Sequence, residues 1–195
     1  MFTTGLVLAA GRSSRLGQPK QLLEYRGCTL LDNTLDVARL CGFDQLTVAL
    51  GGAAAEVRDQ VDLSGCVVVD SVHYTTGCSS SIVAALDVVD ERADGLVLLL
   101  GDQPEVAASS VGALLEAARR VPAPIAVCNY DNGRGHPFWF ARSTFEALHE
   151  LHGDKAVWKM IESGNWPVAD VAIPGDVPLD VDTWDDYEKL KGAIA

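Results

Sequence analysis

The residues best suited to chemistry stand at the front of the chain, where LVLAAGRSSRLGQPKQLL sets Arg12, Arg15 and Lys20 in a loop bounded by Gly11 and Gly17. No Asp or Glu precedes Glu24, although the whole protein has a formal net charge of -12. Positive potential concentrated against the global sign points to a polyanionic ligand, with glycine-freed backbone N–H groups joining the cations around phosphate. The spacing matches neither a P-loop, which needs Gly-Lys followed by Ser or Thr, nor a three-glycine dinucleotide turn that opens a helix. Pro19 stiffens the approach to Lys20.

Carboxylates supply the complementary chemistry. Asp102 follows the apolar run Leu96 to Leu100 with only Gly101 between, and Pro104 comes shortly after. An aspartate at a strand end suits a hard cation with oxygen ligands, though Asp is also an ordinary turn residue. In LDVDTWDDY, one of Asp180 and Asp182 is expected to face a cleft. Asp182 also precedes a helix that it could help to cap. Asp185 and Asp186 are assigned to that helix start, where negative charge complements the dipole. Ser79 to Ser81 in TTGCSSSI straddle another helix start, and capping accounts for one serine better than for three. Cys78 is assigned to packing. His136, in GRGHPFWF, has no second His or Cys at metal-ligand spacing.

These side chains need a scaffold, and the periodicity describes one. Apolar runs at 5–10, 45–50, 66–70, 95–100 and 124–128 read as strands, and a further strand carries Phe138, Trp139 and Phe140. Helices are expected at 29–41, 53–61, 79–90, 108–120 and 143–151, with a last one from Thr183. Thr29/Asp32 and Thr183/Asp186 are capping boxes, and Gly42 closes the first helix. Ile82, Ala85, Leu86 and Val89 form one apolar stripe; Val111, Leu114, Leu115 and Ala118 form another, and Tyr187, Leu190 and Ile194 a third. Continuous apolar strands such as LVLLL imply burial on both faces, hence a mostly parallel α/β sheet with helices on both faces and right-handed crossovers. In such sheets ligands collect beyond the carboxyl ends of the strands, which is where the cationic loop and Asp102 fall.

With 195 residues, 48% hydrophobic and 22% charged, the chain is expected to form one globular domain over 1–195. Its acidity argues against nucleic acid and anionic membranes as partners. The five cysteines form no CxxC pair. Neither a secretory signal nor a bilayer-length apolar run is seen, and a cytoplasmic location is expected.

LVLAAGRSSRLGQPK, TTGCSSSI, LLLLGDQPEV, GHPFWF and LDVDTWDDYEKL occur in the order found in MobA-like nucleotidyltransferases, and the chain resembles that family along almost its whole length. The resemblance is strongest to the branch that makes molybdopterin cytosine dinucleotide. It implies a three-layer Rossmann-like fold of the nucleotide-diphospho-sugar-transferase type and a Mg2+-dependent transfer of CMP from CTP to a phosphorylated acceptor of the molybdopterin type, with pyrophosphate released. Catalysis would fall to Lys20, Arg15 and Asp102. The nucleotide would meet Ala9, Ala10, Gly11, Arg12, Arg15, Lys20, Gly77, Ser81 and Asp102, and the metal Asp102 and Asp182. His136, Pro137 and Asp154 would face the acceptor.

The Ala9-Ala10-Gly11 form of the loop is similar to the cytidylyltransferase branch, where guanylyltransferases carry a further glycine. Ser71 replaces a common Asn, and the stretch after Gly153-Asp154 departs from the usual Gly-Ala-Arg. GTP as donor, or another acceptor, therefore stays open. So does a non-catalytic module that binds a nucleotide or cofactor and transiently contacts a molybdoenzyme or its chaperone.

Overall fold

A computed structural model describes residues 1–121, 123–153 and 155–192. The chain runs β1 (Thr3–Ala9), β2 (Glu24–Tyr25), β3 (Cys28–Thr29), α1 (Leu30–Leu40), β4 (Gln45–Leu50), α2 (Ala54–Gln60), β5 (Cys66–Asp70), α3 (Cys78–Leu86) and β6 (Gly95–Leu100). It continues through α4 (Ala108–Arg120), β7 (Ile125–Tyr130), β8 (Gly133–Ala141), α5 (Phe145–His149), α6 (Ala156–Glu162), β9 (Val168–Ala172) and α7 (Trp184–Gly192).

Seven strands form one sheet in the order β5-β4-β1-β6-β8-β7-β9. All neighbours are parallel except β8, which is antiparallel to both β6 and β7. Alternation along the central strands divides the core into two layers. Val7, Val97 and Leu99 pack on one face with Leu31 and Leu35 of α1, Val57 of α2, and Val111, Leu114 and Leu115 of α4. Leu6, Leu96 and Leu98 pack on the other with Ile82, Ala85 and Leu86 of α3, Leu148 of α5, and Val157 and Met160 of α6. Strands sandwiched this way must be apolar at every position, which is why LVLLL reads as continuous.

Local signals operate as the sequence implies. Thr29 Oγ1 accepts from the Asp32 amide while the Asp32 carboxylate accepts from the Thr29 amide, and Gly42, at φ 67, follows the helix. The Thr183/Asp186 pair is likewise reciprocal. The helix expected at 79–90 ends at Leu86, while β9, α6 and the β2–β3 hairpin have no counterpart among the expected elements. Ile194 lies outside the described residues.

The sheet order positions the site. β1 is followed in space by β4 on one side and by β6 on the other, with Leu8 paired to Leu100. The chain direction of winding reverses between β1 and β6, so the loops after these strands diverge and leave a crevice at their carboxyl ends. The Gly101 amide donates to Leu8 O at 2.9 Å, fixing one loop against the other.

Candidate active site

A cleft of about 600 Å3 opens at this point. The loop after β1 supplies Ala9, Ala10, Gly11, Arg12 and Arg15 to its wall, and the 3-10 turn Lys20–Leu22 supplies Lys20. Gly77 and Ser81 enter from the α3 side, Asp102 from the loop after β6, and Asp182 from the segment before α7. All ten of these residues named from the sequence thus share one cavity.

At its centre the Lys20 Nζ donates to Asp102 Oδ2 and, at 2.7 Å, to Asp182 Oδ1. Arg15 Nη2 closes the cluster by donating to Asp182 Oδ2 at 2.8 Å. Burial opposes the Lys20 ammonium, yet Asp102 and Asp182 together outweigh it and raise its pKa above the ordinary lysine value. Desolvation likewise opposes ionisation of Asp182, but Lys20 and then Arg15 hold its carboxyl below the usual aspartate range. The Lys20 ammonium is thus kept charged and the Asp182 carboxylate ionised in a half-buried site, where their fields are stronger than in water.

The carboxylates are held from behind. The Val181 amide donates to Asp102 O at 3.1 Å, and Gln103 Nε2 donates to Pro178 O at 3.0 Å, so the two acidic segments are bonded backbone to backbone and side chain to backbone. Val181 is buried with Leu16, Leu23, Tyr25, Leu30, Tyr187 and Leu190 in a small core of its own. Tyr187 Oη reaches Glu24 O at 2.6 Å, and Tyr25 Oη reaches Glu105 Oε1 at 2.8 Å, which ties the β2–β3 hairpin to both segments. Asp182 lines the cleft, whereas Asp180 is not among its lining residues. Desolvation, and the Asp102 charge nearby, push the Asp180 carboxyl up to about 6.

On the opposite wall, Arg12 Nη2 donates to Thr75 O at 3.2 Å, joining the loops after β1 and β5. Ser81 Oγ donates to Ser71 Oγ at 3.0 Å in a buried pair. The acceptor-side expectations are placed elsewhere: neither His136 nor Pro137 lines this cleft. The His136 ring lies 4.0 Å from that of Phe138 and edge-on to Trp158, and desolvation holds its imidazole down at about 3. Asp154 lies outside the described residues.

Three cleft residues escape a reading of motifs. Lys155 adds a further cation from the C-terminal half, Tyr74 an aromatic ring, and Gln21 a buried amide. Gln21 had a signal in its position directly after Lys20. Lys155 and Tyr74 had none, because only the tertiary packing brings them to the loop after β1.

Among the described residues no group of three or more His, Cys, Asp or Glu is placed to hold a metal ion. Asp102 and Asp182 nevertheless offer two hard-oxygen ligands gathered around one cation, the Lys20 ammonium. Mg2+ is commonly held in this way, by one or two carboxylates together with substrate phosphates and water.

Comparison with known proteins identifies the family. Residues 5–168 match the MobA-like NTP transferase domain. Rv0371c from Mycobacterium tuberculosis H37Rv superposes with a TM-score of 0.91 at 54% identity, over 96% of each chain. A manganese complex of Rv0371c superposes with a TM-score of 0.86 at 50% identity, over 97% of this chain and 98% of the other. Nicotine blue oxidoreductase of Paenarthrobacter nicotinovorans is 32% identical over 142 residues, 69% of this chain and 68% of its own. A probable molybdenum cofactor guanylyltransferase of Rhodopirellula baltica is 30% identical over 122 residues, 62% of this chain and 58% of its own. The chain belongs to the MobA-like NTP transferase family, and it is a nucleotidyltransferase that acts on a nucleoside triphosphate.

Proposed function

We propose that the protein transfers CMP from CTP to a phosphorylated pterin-type acceptor such as molybdopterin, releasing pyrophosphate with the help of Mg2+. The observation that carries this reading is the Lys20 ammonium bonded to both Asp102 and Asp182 in the cleft behind the cationic loop. A phosphate monoester is already an anionic nucleophile. Its oxygen forms a bond to the α-phosphorus as the bond from that phosphorus to the bridging oxygen breaks, and the electron pair leaves with pyrophosphate. Such a step needs alignment and charge neutralisation more than a general base.

Each residue has a part in that scheme. Lys20 and Arg15 neutralise charge that grows on the departing pyrophosphate, and Arg12 assists from the opposite wall. Asp102 and Asp182 would hold the divalent cation. Held there, it would supply positive charge to offset that of the phosphates. Gly77 and Ser81 would meet the base and ribose. Lys155, a cation on the C-terminal wall of the cleft, is suited to the acceptor's phosphate. Acceptor contacts through His136 or Pro137 would have to form beyond the cleft described.

Support for CTP comes from the Ala9-Ala10-Gly11 loop, and for a pterin-type acceptor from the relative named for the molybdenum cofactor. That relative is a guanylyltransferase by name, which favours GTP as the second reading. Each nucleoside triphosphate, with Mg2+ and molybdopterin, is to be assayed for pyrophosphate and for a nucleotidylated product by mass. CTP is expected to give the product. Product from GTP alone would select the second reading, and tight CTP binding without turnover would favour a silent binding module.

A further inference from the structure

We infer that Gln21 is a positioning residue that shapes the backbone cradle for the nucleotide's phosphates, an inference that rests on the nucleotide-binding reading above. Its side chain is only 2% exposed and lines the cleft, and its Nε2 donates to two carbonyls of the loop, Ala9 O at 2.8 Å and Gly11 O at 3.2 Å. A primary amide has two N–H donors, so one side chain can hold both carbonyls at once. A carbonyl oxygen that faced a triphosphate would repel it. Tying these two to Gln21 removes that repulsion from a loop whose task is to attract anions.

The donors left over are the second half of the argument. The amides of Gly11, Arg12, Ser13 and Ser14 have no hydrogen-bond acceptor among the described residues, and all four residues line the cleft. Ser13 sits at φ 51, a left-handed conformation uncommon outside glycine. It is held there by its own Oγ, which accepts from the Lys20 amide at 2.9 Å, and by its carbonyl, which accepts from the Leu16 and Gly17 amides. Successive free amides in such a bend form an anion-binding nest. Lys20 and Gln21 therefore act as a pair: one brings a charge to the cleft while the other fixes the backbone that shares the load.

The buried Oε1 of Gln21 favours a role for the amide beyond stability. It has no hydrogen-bond partner among the described residues, and an unsatisfied buried acceptor offsets much of what the two donated bonds contribute. A residue serving only the fold would be better replaced by an apolar side chain of the same length.

Gln21→Met tests this, with CTP and GTP as probes, each in EDTA and in Mg2+. Nucleotide affinity is expected to fall roughly 10- to 30-fold, as loss of two hydrogen bonds implies, in EDTA as well as in Mg2+, while the nucleotide-free melting temperature stays close to wild type. Turnover at saturating nucleotide should fall less than kcat/KM. Equal affinity in a folded Gln21→Met protein would overturn the inference. So would lower nucleotide-free stability at unchanged affinity, which marks a purely structural role. If the variant does not fold, NMR of wild-type protein decides. The Gln21 side-chain amide protons should be protected from exchange without nucleotide and shift when it binds, and rapid exchange of both would refute the clamp. Absence of nucleotide binding by the wild type would instead count against the proposed function itself.

Discussion

Lys20 and Asp102 stand 82 residues apart in sequence and form an ion pair at the centre of the cleft, with the lysine also bonded to Asp182. The ammonium therefore sits between the two carboxylates proposed to receive the divalent cation. Lys20→Ala should cut transfer roughly 10²- to 10³-fold, the usual cost of losing one group that stabilises a transition state. The same substitution leaves the carboxylates without their shared cation, so Mn2+ should bind the nucleotide-free variant more tightly than wild type. Titration followed by Mn2+ electron spin resonance checks this, and weaker binding by the variant would contradict it.

Asp102→Asn keeps the shape of the side chain and removes its charge. The fold should survive, because Asp182 still pairs with Lys20 and the Val181 amide still bonds to Asp102 O. Transfer should fall by a comparable roughly 10²- to 10³-fold, with a higher Mg2+ requirement seen in a metal titration of pyrophosphate release.

Gly51 and Gly112 should respond oppositely to alanine. A Cβ at Gly51 would lie 2.4 Å from Ala10 O, a backbone atom of the cationic loop that cannot swing away. Gly51→Ala is expected to cost about 1–3 kcal/mol in denaturant unfolding and to weaken nucleotide binding. Gly112, inside α4, has open space at that position, and Gly112→Ala should stabilise by about 0.4–1 kcal/mol without touching activity.

His136 predicts a pH dependence of stability. Its folded-state pKa, held down at about 3 by desolvation, lies below the ordinary 6.5, so the unfolded chain takes up the proton first. The stability linked to this group is complete above pH 6.5 and is lost as pH falls towards 3. Urea unfolding at successive pH values should show wild type losing up to about 1.4 kcal/mol per pH unit more than His136→Gln across that window. Parallel pH profiles would show that the imidazole is not desolvated in this way.

Lys155→Ala should raise the KM for a phosphorylated acceptor while leaving nucleotide affinity nearly unchanged, with Lys155→Arg restoring part of the loss. Steady-state kinetics with the acceptor varied at saturating nucleotide separates the two effects. A loss of nucleotide affinity would place Lys155 on the donor side.

Much of the molecule was legible without coordinates because its signals are local. Capping boxes at Thr29 and Thr183, the glycine after α1, and apolar periodicity each depend on residues within a turn or two of one another. The cationic loop and the strand-end aspartate were visible for the same reason. The β8 strand inserted antiparallel between β6 and β7, the strand β9 that completes the edge, and the inward packing of His136 depend on partners far along the chain, and no local pattern encodes them.

By itself the sequence determined which groups would carry charge and at which strand ends they would stand. Tertiary structure decided that they meet: β1 lies beside β6, and the Asp182 segment is bonded to the Asp102 loop. It also decided that Asp182, not Asp180, enters the cleft, and that Gln21 turns inward to two carbonyls. The physical reason is that Coulomb and hydrogen-bond energies depend on distance in space, which the order of strands in the sheet sets and the spacing of residues along the chain does not.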